Sequence, residues 1–288
     1  MLDGGLATEL EARGHDLRDE LWSARVLRDD PAAVEGVHAA YFEAGADVAI
    51  TSSYQATDAH LVRLSVELAQ RARDRVKPGG LVVGSVGPYA AVLADGSEYT
   101  GDYGDTGDET IADTQRARLH ELVAAGADAI AFETIPNAGE AAIAAALLRE
   151  LPGVEAWVSF CCRDGEHLSD GTRIDDAIRG AGDGPVAFGI NCTPPQHVES
   201  LLVLARSATD RPIVVYPNHG RAWEEATYTW SGDGVDCLQP SLVARWRAHG
   251  AAAVGGCCGI GPAAIAELAR VEIPADVEPS AHGAERLT

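Results

Sequence analysis

The sequence is short of positive charge. Its 22 lysines and arginines face 44 aspartates and glutamates, for a formal net charge of −22. So acidic a chain repels phosphate backbones and anionic bilayers, which argues against nucleic acid and membrane surfaces as partners. The acids are spread along the chain rather than gathered in a tail, as on a solvated, self-repelling surface. Also missing is any apolar run of the roughly 18–20 residues that a membrane span needs. The first residues, Met1-Leu2-Asp3-Gly4-Gly5, lack the basic and apolar regions of a secretory signal. A cytoplasmic location is therefore expected. In a reducing compartment the six cysteines are expected to be thiols or metal ligands, not a disulfide framework.

What is present is strict alternation. Short apolar runs, rich in β-branched residues, occur at 47–51 (DVAIT), 81–86 (LVVGSV), 128–133 (DAIAFE), 156–160 (AWVSF), 186–192 (VAFGINC), 213–216 (IVVY) and 251–254 (AAAV). With a short first strand at residues 1–3 they make eight. They are continuous rather than alternating, as in parallel strands covered on both faces. Amphipathic helical stretches at 31–44, 59–76, 109–125, 139–150, 195–207, 242–249 and 262–270 separate them, with Pro31, Pro195 and Pro262 near helix starts. A weak repeat, Ala44-Gly45-Ala46-Asp47, Ala125-Gly126-Ala127-Asp128 and His249-Gly250-Ala251-Ala252, sets a glycine at a helix end before a strand. The expected fold is α/β, a single (β/α)8 TIM barrel over residues 1–273, with a flexible polar tail at 274–288. An open doubly wound sheet is the alternative. The chain has 288 residues, and a barrel needs about 250.

Two connections are long, 87–108 after the third strand and 217–239 after the seventh. Both follow strand C-termini, where barrel enzymes build their sites, and both carry Tyr and Trp. They are expected to cover a substrate.

The chemistry concentrates in cysteine. Gly255-Gly256-Cys257-Cys258-Gly259 follows the eighth strand, and Cys192 ends the sixth. Neighbouring side chains on a regular strand point to opposite faces, so Cys257 and Cys258 converge only where the backbone leaves the strand. The flanking glycines permit that departure. Three thiolates on a divalent ion leave one position open, the pattern of a catalytic zinc, and a substrate thiol entering it becomes a thiolate. The alternative is a set of merely buried cysteines. That plainer reading is preferred for Cys161, Cys162 and Cys237.

Nine segments carry a resemblance. They are 2–11 (LDGGLATELE), 21–24 (LWSA), 51–57 (TSSYQAT), 84–103 (GSVGPYAAVLADGSEYTGDY), 133–136 (ETIP), 169–172 (SDGT), 189–192 (GINC), 215–218 (VYPN) and 255–259 (GGCCG). In order and content they resemble the homocysteine S-methyltransferases, in the branch that uses S-methylmethionine or S-adenosylmethionine. The resemblance implies a zinc ion on Cys192, Cys257 and Cys258. It also implies the homocysteine ammonium on Asp3 and Glu133, and the carboxylate near Gly4 and Thr51. Asn191, beside a ligand, is expected to orient the site. Trp22, Tyr54 and Tyr89 are the candidates on the donor side, since a sulfonium cation is recognised over aromatic faces.

One departure is visible. After Tyr216-Pro217-Asn218 the family usually continues Ser-Gly-Glu, whereas this chain has His219-Gly220-Arg221. His219 is expected as a solvated loop residue, and Arg221 bears on donor preference. Rival readings are a betaine or cobalamin-linked donor, a selenocysteine acceptor, and a non-catalytic barrel that keeps zinc for stability or thiol sensing. No fused cobalamin domain is expected, which weighs against the cobalamin-linked donor. The expected partners are small molecules only, and the sequence leaves the oligomeric state open, with a monomer favoured.

Overall fold

Seven of the apolar runs form one parallel sheet. Its strands are β1 (Val48–Ile50), β2 (Leu81–Val86), β3 (Ala129–Ile135), β4 (Ala156–Phe160), β5 (Ala187–Asn191), β6 (Ile213–Tyr216) and β9 (Ala251–Val254). They hydrogen-bond in that order. Between the last two lies a small antiparallel pair, β7 (Ala222–Glu224) and β8 (Thr229–Ser231), which periodicity did not predict. This computed structural model describes residues 1–17, 22–224, 229–231, 234 and 238–270. The expected tail, Cys237 and the side chain of Trp22 lie outside the described residues.

The intervening helices begin where local chemistry starts them. Asp30 accepts the Ala33 N–H at 3.1 Å ahead of α3 (Pro31–Glu43). Asp58 caps α4 (Ala59–Val76) through His60 and Leu61. Asn137 caps α7 (Ala138–Glu150) through Glu140. Each such cap is worth about 1 kcal/mol. Pro31, Pro195 and Pro262 open α3, α9 (Pro195–Ala208) and α11 (Pro262–Ala269), as expected. The repeated glycines Gly45, Gly126 and Gly250 take positive φ of 106°, 82° and 97°. They end α3, α6 (Asp108–Ala124) and α10 (Pro240–Ala248), and turn the chain into the next strand. Four further helices were not predicted: α1 (Leu6–Ala12), α2 (Trp22–Asp29), α5 (Tyr89–Leu93) and α8 (Ile174–Ala181). None of the helices among the described residues is long and apolar enough to cross a membrane.

The strand expected at residues 1–3 is a single bridge residue. Leu2 pairs in parallel with Val48 of β1, and its N–H donates to Val254 of β9 at 2.9 Å. Asp3 N–H donates to Val48 at 3.0 Å, and Gly256 N–H returns to Asp3 at 2.9 Å. The sheet is therefore curled enough for one short segment to bond both of its edges. Side chains from five strands meet inside it, with Leu2, Ala187, Val214 and Tyr216 packed against Val48, Ile50, Trp157 and Ala253. Leu2 is 2% exposed at this seam. Leu2→Ala is expected to cost about 2–4 kcal/mol in denaturant unfolding. An unchanged midpoint would mean that the seam does not hold the edges together.

Candidate metal centre and active site

The three cysteines singled out in the sequence converge. The sulfurs of Cys192, Cys257 and Cys258 all lie within 4.8 Å of one another. Cys258 Sγ is 3.8 Å from Cys192 Sγ and 4.0 Å from Cys257 Sγ. A tetrahedral zinc with bonds of about 2.3 Å sets its sulfurs about 3.8 Å apart, so the spacing suits that ion. Hydrogen bonding among the three sulfurs pushes the Cys257 pKa below the usual thiol range and those of Cys192 and Cys258 above it.

The backbone makes this convergence possible. Cys192 leaves β5 with φ of 46°, a left-handed turn unusual for a residue with a side chain. Thr134, in β3, has φ of 61°. Asn191 ties these two irregular positions together: its Oδ1 accepts Thr134 N–H and its Nδ2 donates to Thr134 Oγ1, both at 2.8 Å. It is fully buried. Asn218 Nδ2 donates to the Cys192 carbonyl at 3.0 Å, while Cys257 N–H donates to Pro217 at 2.8 Å.

Asp3 and Glu133 are both buried, 3% and 8% exposed. Asp3 Oδ2 accepts Ile50 N–H at 2.9 Å. Burial raises the Asp3 pKa well above the usual carboxylate range, and the Glu133 and Cys257 charges add to it. Glu133 is pushed up to about 7, chiefly by burial. The Ser85 hydroxyl, which donates to it at 2.5 Å, opposes the shift, as do hydrogen bonding from Tyr216 and the charge of Arg118. Two carboxyls and three thiols thus share one poorly hydrated space. Such a space attracts cations, whether an ammonium or a metal ion.

Other expected residues have different surroundings. Thr51 Oγ1 accepts Ser85 N–H at 2.9 Å and lies 2.8 Å from Ser53 Oγ. Because Ser53 donates its proton to the Ser85 carbonyl, the Thr51 proton goes to Ser53. Its hydroxyl therefore holds the loop together. At Gly4 a Cβ would come within 2.4 Å of the Ile260 carbonyl, so glycine is needed there for packing. Tyr54 is close enough to Cys192 and Glu133 for their charges to raise its pKa, after burial, and it hydrogen-bonds Thr134. Tyr89 is half-buried, with its ring 5.8 Å from that of Tyr103.

His219 corrects the expectation of a solvated loop residue. It is 8% exposed. Its N–H donates to the Cys258 carbonyl at 3.0 Å, and its ring occupies the space beside Gly259, where any Cβ would meet it at 2.1 Å. Burial lowers its pKa, with help from Arg221. The reason is the turn at Gly259, φ 83°, which brings the cysteine loop against residue 219. Arg221 is exposed. Cys161 and Cys162 are buried as expected, and Cys161 Sγ sits 3.7 Å from the Cys192 carbonyl.

Sequence reasoning missed Ser85, Ser159 and Tyr216, whereas Tyr99 lies on the 87–108 connection expected to cover a substrate. The Tyr216 hydroxyl receives Trp157 Nε1 at 3.1 Å and meets Ser159 at 2.5 Å. Tyr99 stands near Cys192 and Cys258, whose charges raise its pKa after burial does. Ser85 and Tyr216 lie at the C-terminal ends of β2 and β6, a position that could have drawn attention to them.

The raised pKa of Glu133 has a consequence for stability. The folded chain keeps its proton more tightly than the unfolded chain does, so the contribution is full below about 4.5 and lost as pH rises through about 7. Glu133→Gln is expected to relieve that loss, by on the order of 1–3 kcal/mol at pH 8 relative to wild type and little at pH 4. Denaturant melts of metal-free protein at the two pH values measure it. Equal effects at both would show that the carboxyl titrates normally.

A family model described as homocysteine S-methyltransferase matches residues 1–271. Homocysteine S-methyltransferase YbgG of Bacillus subtilis is 42% identical, covering 93% of each chain. The homocysteine S-methyltransferase of Escherichia coli is 44% identical, again over 93% of each. A selenocysteine Se-methyltransferase of Brassica oleracea is 42% identical over 92% of this chain and 86% of its own. Among solved structures, the metallated form of the Escherichia coli homocysteine methyltransferase MmuM superposes with a TM-score of 0.82, at 43% identity over 93% of this chain and 94% of that one. The chain belongs to the homocysteine S-methyltransferase family.

Proposed function

We propose that the protein transfers a methyl group from a sulfonium donor, S-methylmethionine or S-adenosylmethionine, to the thiol of homocysteine, forming methionine. The observation that carries this reading is the meeting of three cysteine sulfurs within 4.8 Å beside the buried carboxyls of Asp3 and Glu133. Cys192, Cys257 and Cys258 would hold zinc. Bound there, it supplies a Lewis acid that keeps a substrate thiol deprotonated at neutral pH. A cytoplasmic setting suits three ligand thiols, since it keeps them reduced.

The chain's own residues do the rest. Asp3 and Glu133 bind the homocysteine ammonium, whose charge draws the Glu133 proton off and offsets the cost of burying both acids. Gly4 and the backbone around Thr51 line the carboxylate end. Asn191 keeps Cys192 and Thr134 in their left-handed turns. Tyr54 and Tyr89 offer aromatic faces to the sulfonium. The homocysteine sulfur then attacks the donor methyl carbon in line, forming one C–S bond as the donor's breaks. The donor leaves as a neutral thioether, and the thiol proton goes to solvent. No protein base is required. The same reading counts Leu2 as the eighth stave of a closed barrel, because it bonds both β1 and β9.

A selenocysteine acceptor is the second reading, favoured by the similarity to the Brassica enzyme. Both acceptors share the amino-acid end and a soft nucleophile, so they compete for one site.

The test is zinc content together with methionine formation from homocysteine and S-methylmethionine, S-adenosylmethionine or betaine in turn. About one zinc per chain and turnover with a sulfonium are expected. Cys257→Ser is expected to lose zinc and at least about a thousandfold in kcat/KM while keeping its circular dichroism. Turnover only with betaine would overturn the donor assignment. Loss of fold together with zinc would favour a structural metal.

A further inference from the structure

Behind the mouth lies a buried polar cluster that the reaction above does not use. Gln115, Arg118 and Glu140 are 0%, 2% and 1% exposed. The first two lie on α6 and the third on α7. Arg118 donates to the carbonyls of Gly87 at 2.8 Å, Ser53 at 3.1 Å and Tyr54. Gln115 bridges: it donates to Glu140 and to Gly87 at 3.2 Å, and accepts from Arg118 at 3.4 Å. Glu140 accepts the Tyr89 N–H at 2.7 Å and the Tyr103 hydroxyl at 2.5 Å.

Every outward bond of this cluster ends on a connection at the strand C-termini. The Arg118 bonds to Ser53 and Tyr54 hold the loop after β1. Those to Gly87, from Arg118 and Gln115, hold the turn after β2. Glu140 fixes the start of α5 and the strap that carries Tyr103. The Tyr89 and Tyr103 rings meet at 5.8 Å, inclined by 58°, directly above it. At Gly87 a Cβ would come within 2.4 Å of the Tyr54 carbonyl, so the first two connections touch.

Burial opposes charge on both partners, lowering the Arg118 pKa to about 10 and raising that of Glu140. A buried pair of this kind contributes little net stability compared with apolar packing. What an apolar replacement could not do is bind three carbonyls, an N–H and a hydroxyl on two connections at once.

We propose that Arg118, Gln115 and Glu140 form a positioning device that sets Tyr54 and Tyr89 for the sulfonium donor, with Glu140 acting on the donor side alone. This rests on the donor assignment made above. Asp3, Glu133 and the three cysteines accept no hydrogen bond from these residues among the described contacts. Asp3 is held by the seam at Leu2, whereas Tyr89 hangs on Glu140 of α7, and Arg118 reaches Glu133 only through its charge.

The test is Glu140→Gln, which keeps the shape but removes the charge and one of the two acceptor oxygens that hold Tyr89 N–H, Gln115 and Tyr103. KM for S-methylmethionine is expected to rise about tenfold, with KM for homocysteine within about twofold of wild type and zinc per chain unchanged. Calorimetric binding of S-methylmethionine, which needs no turnover, should weaken by the same factor. Arg118→Met should weaken the donor likewise, but because its charge also acts on Glu133, homocysteine KM is compared only in Glu140→Gln. Unchanged donor KM and binding in folded Glu140→Gln protein would overturn the proposal, as would a parallel rise in both KM values. If that variant does not fold, Tyr103→Phe removes one bond of the cluster and is expected to raise donor KM about threefold. No change in Tyr103→Phe would then overturn the proposal. Wild-type protein that neither binds nor turns over a sulfonium would sink the donor assignment and this device together. Wild-type activity with an indifferent cluster sinks only the device.

Discussion

Two residues at the N-terminus hold the arrangement together. Leu2 and Asp3 bond Val48 on one edge of the sheet and Val254 and Gly256 on the other. The same few atoms that join the edges carry the Asp3 carboxyl to the mouth and fix the start of the cysteine loop, because Gly256 N–H is bound to the Asp3 carbonyl. The seam between the sheet edges and the site therefore share the same residues. A chain unable to seat Leu2 would lose both the seam and the approach of Cys257 to Cys192.

The mouth so formed is unfavourable by itself. Asp3, Glu133 and the cysteine thiols crowd anionic groups into a space with little water, and burial drives the carboxyl pKa values up. Such strain is relieved by cations, which is why the proposed reading sets a substrate ammonium and a metal ion there. The left-handed turns at Thr134 and Cys192 are a second local cost at the same place. Their partner is the buried side chain of Asn191, which spends both polar ends on Thr134.

Much of this was legible in one dimension. The glycine repeat at 45, 126 and 250 marked the helix ends, because only a residue at ease with positive φ turns a helix so abruptly into a strand. The prolines marked helix starts. The vicinal cysteines between glycines announced a departure from strand geometry, and their sulfurs do converge. Less legible were the polar partners. Ser85, Tyr216 and Ser159 look like ordinary strand residues, and nothing in local spacing says which hydroxyl will face Glu133. Thr51 was expected to face substrate, but Ser53 and Ser85 claim its hydroxyl. His219 reads as a loop histidine until the Gly259 turn folds the cysteine loop onto it.

The amino-acid sequence by itself determined the alternation of strands and helices, the places where helices start and stop, and the presence of a thiol-rich loop. These are local properties, set by side-chain period, capping groups and backbone freedom over a few residues. Only the tertiary structure decided that the eighth position is one bridge residue, which hydroxyls serve the fold, and that Arg118 and Glu140 gather two loops. Those outcomes depend on contacts between residues dozens to hundreds of positions apart. The energy of such contacts exists only once the sheet has curled and excluded water from its mouth.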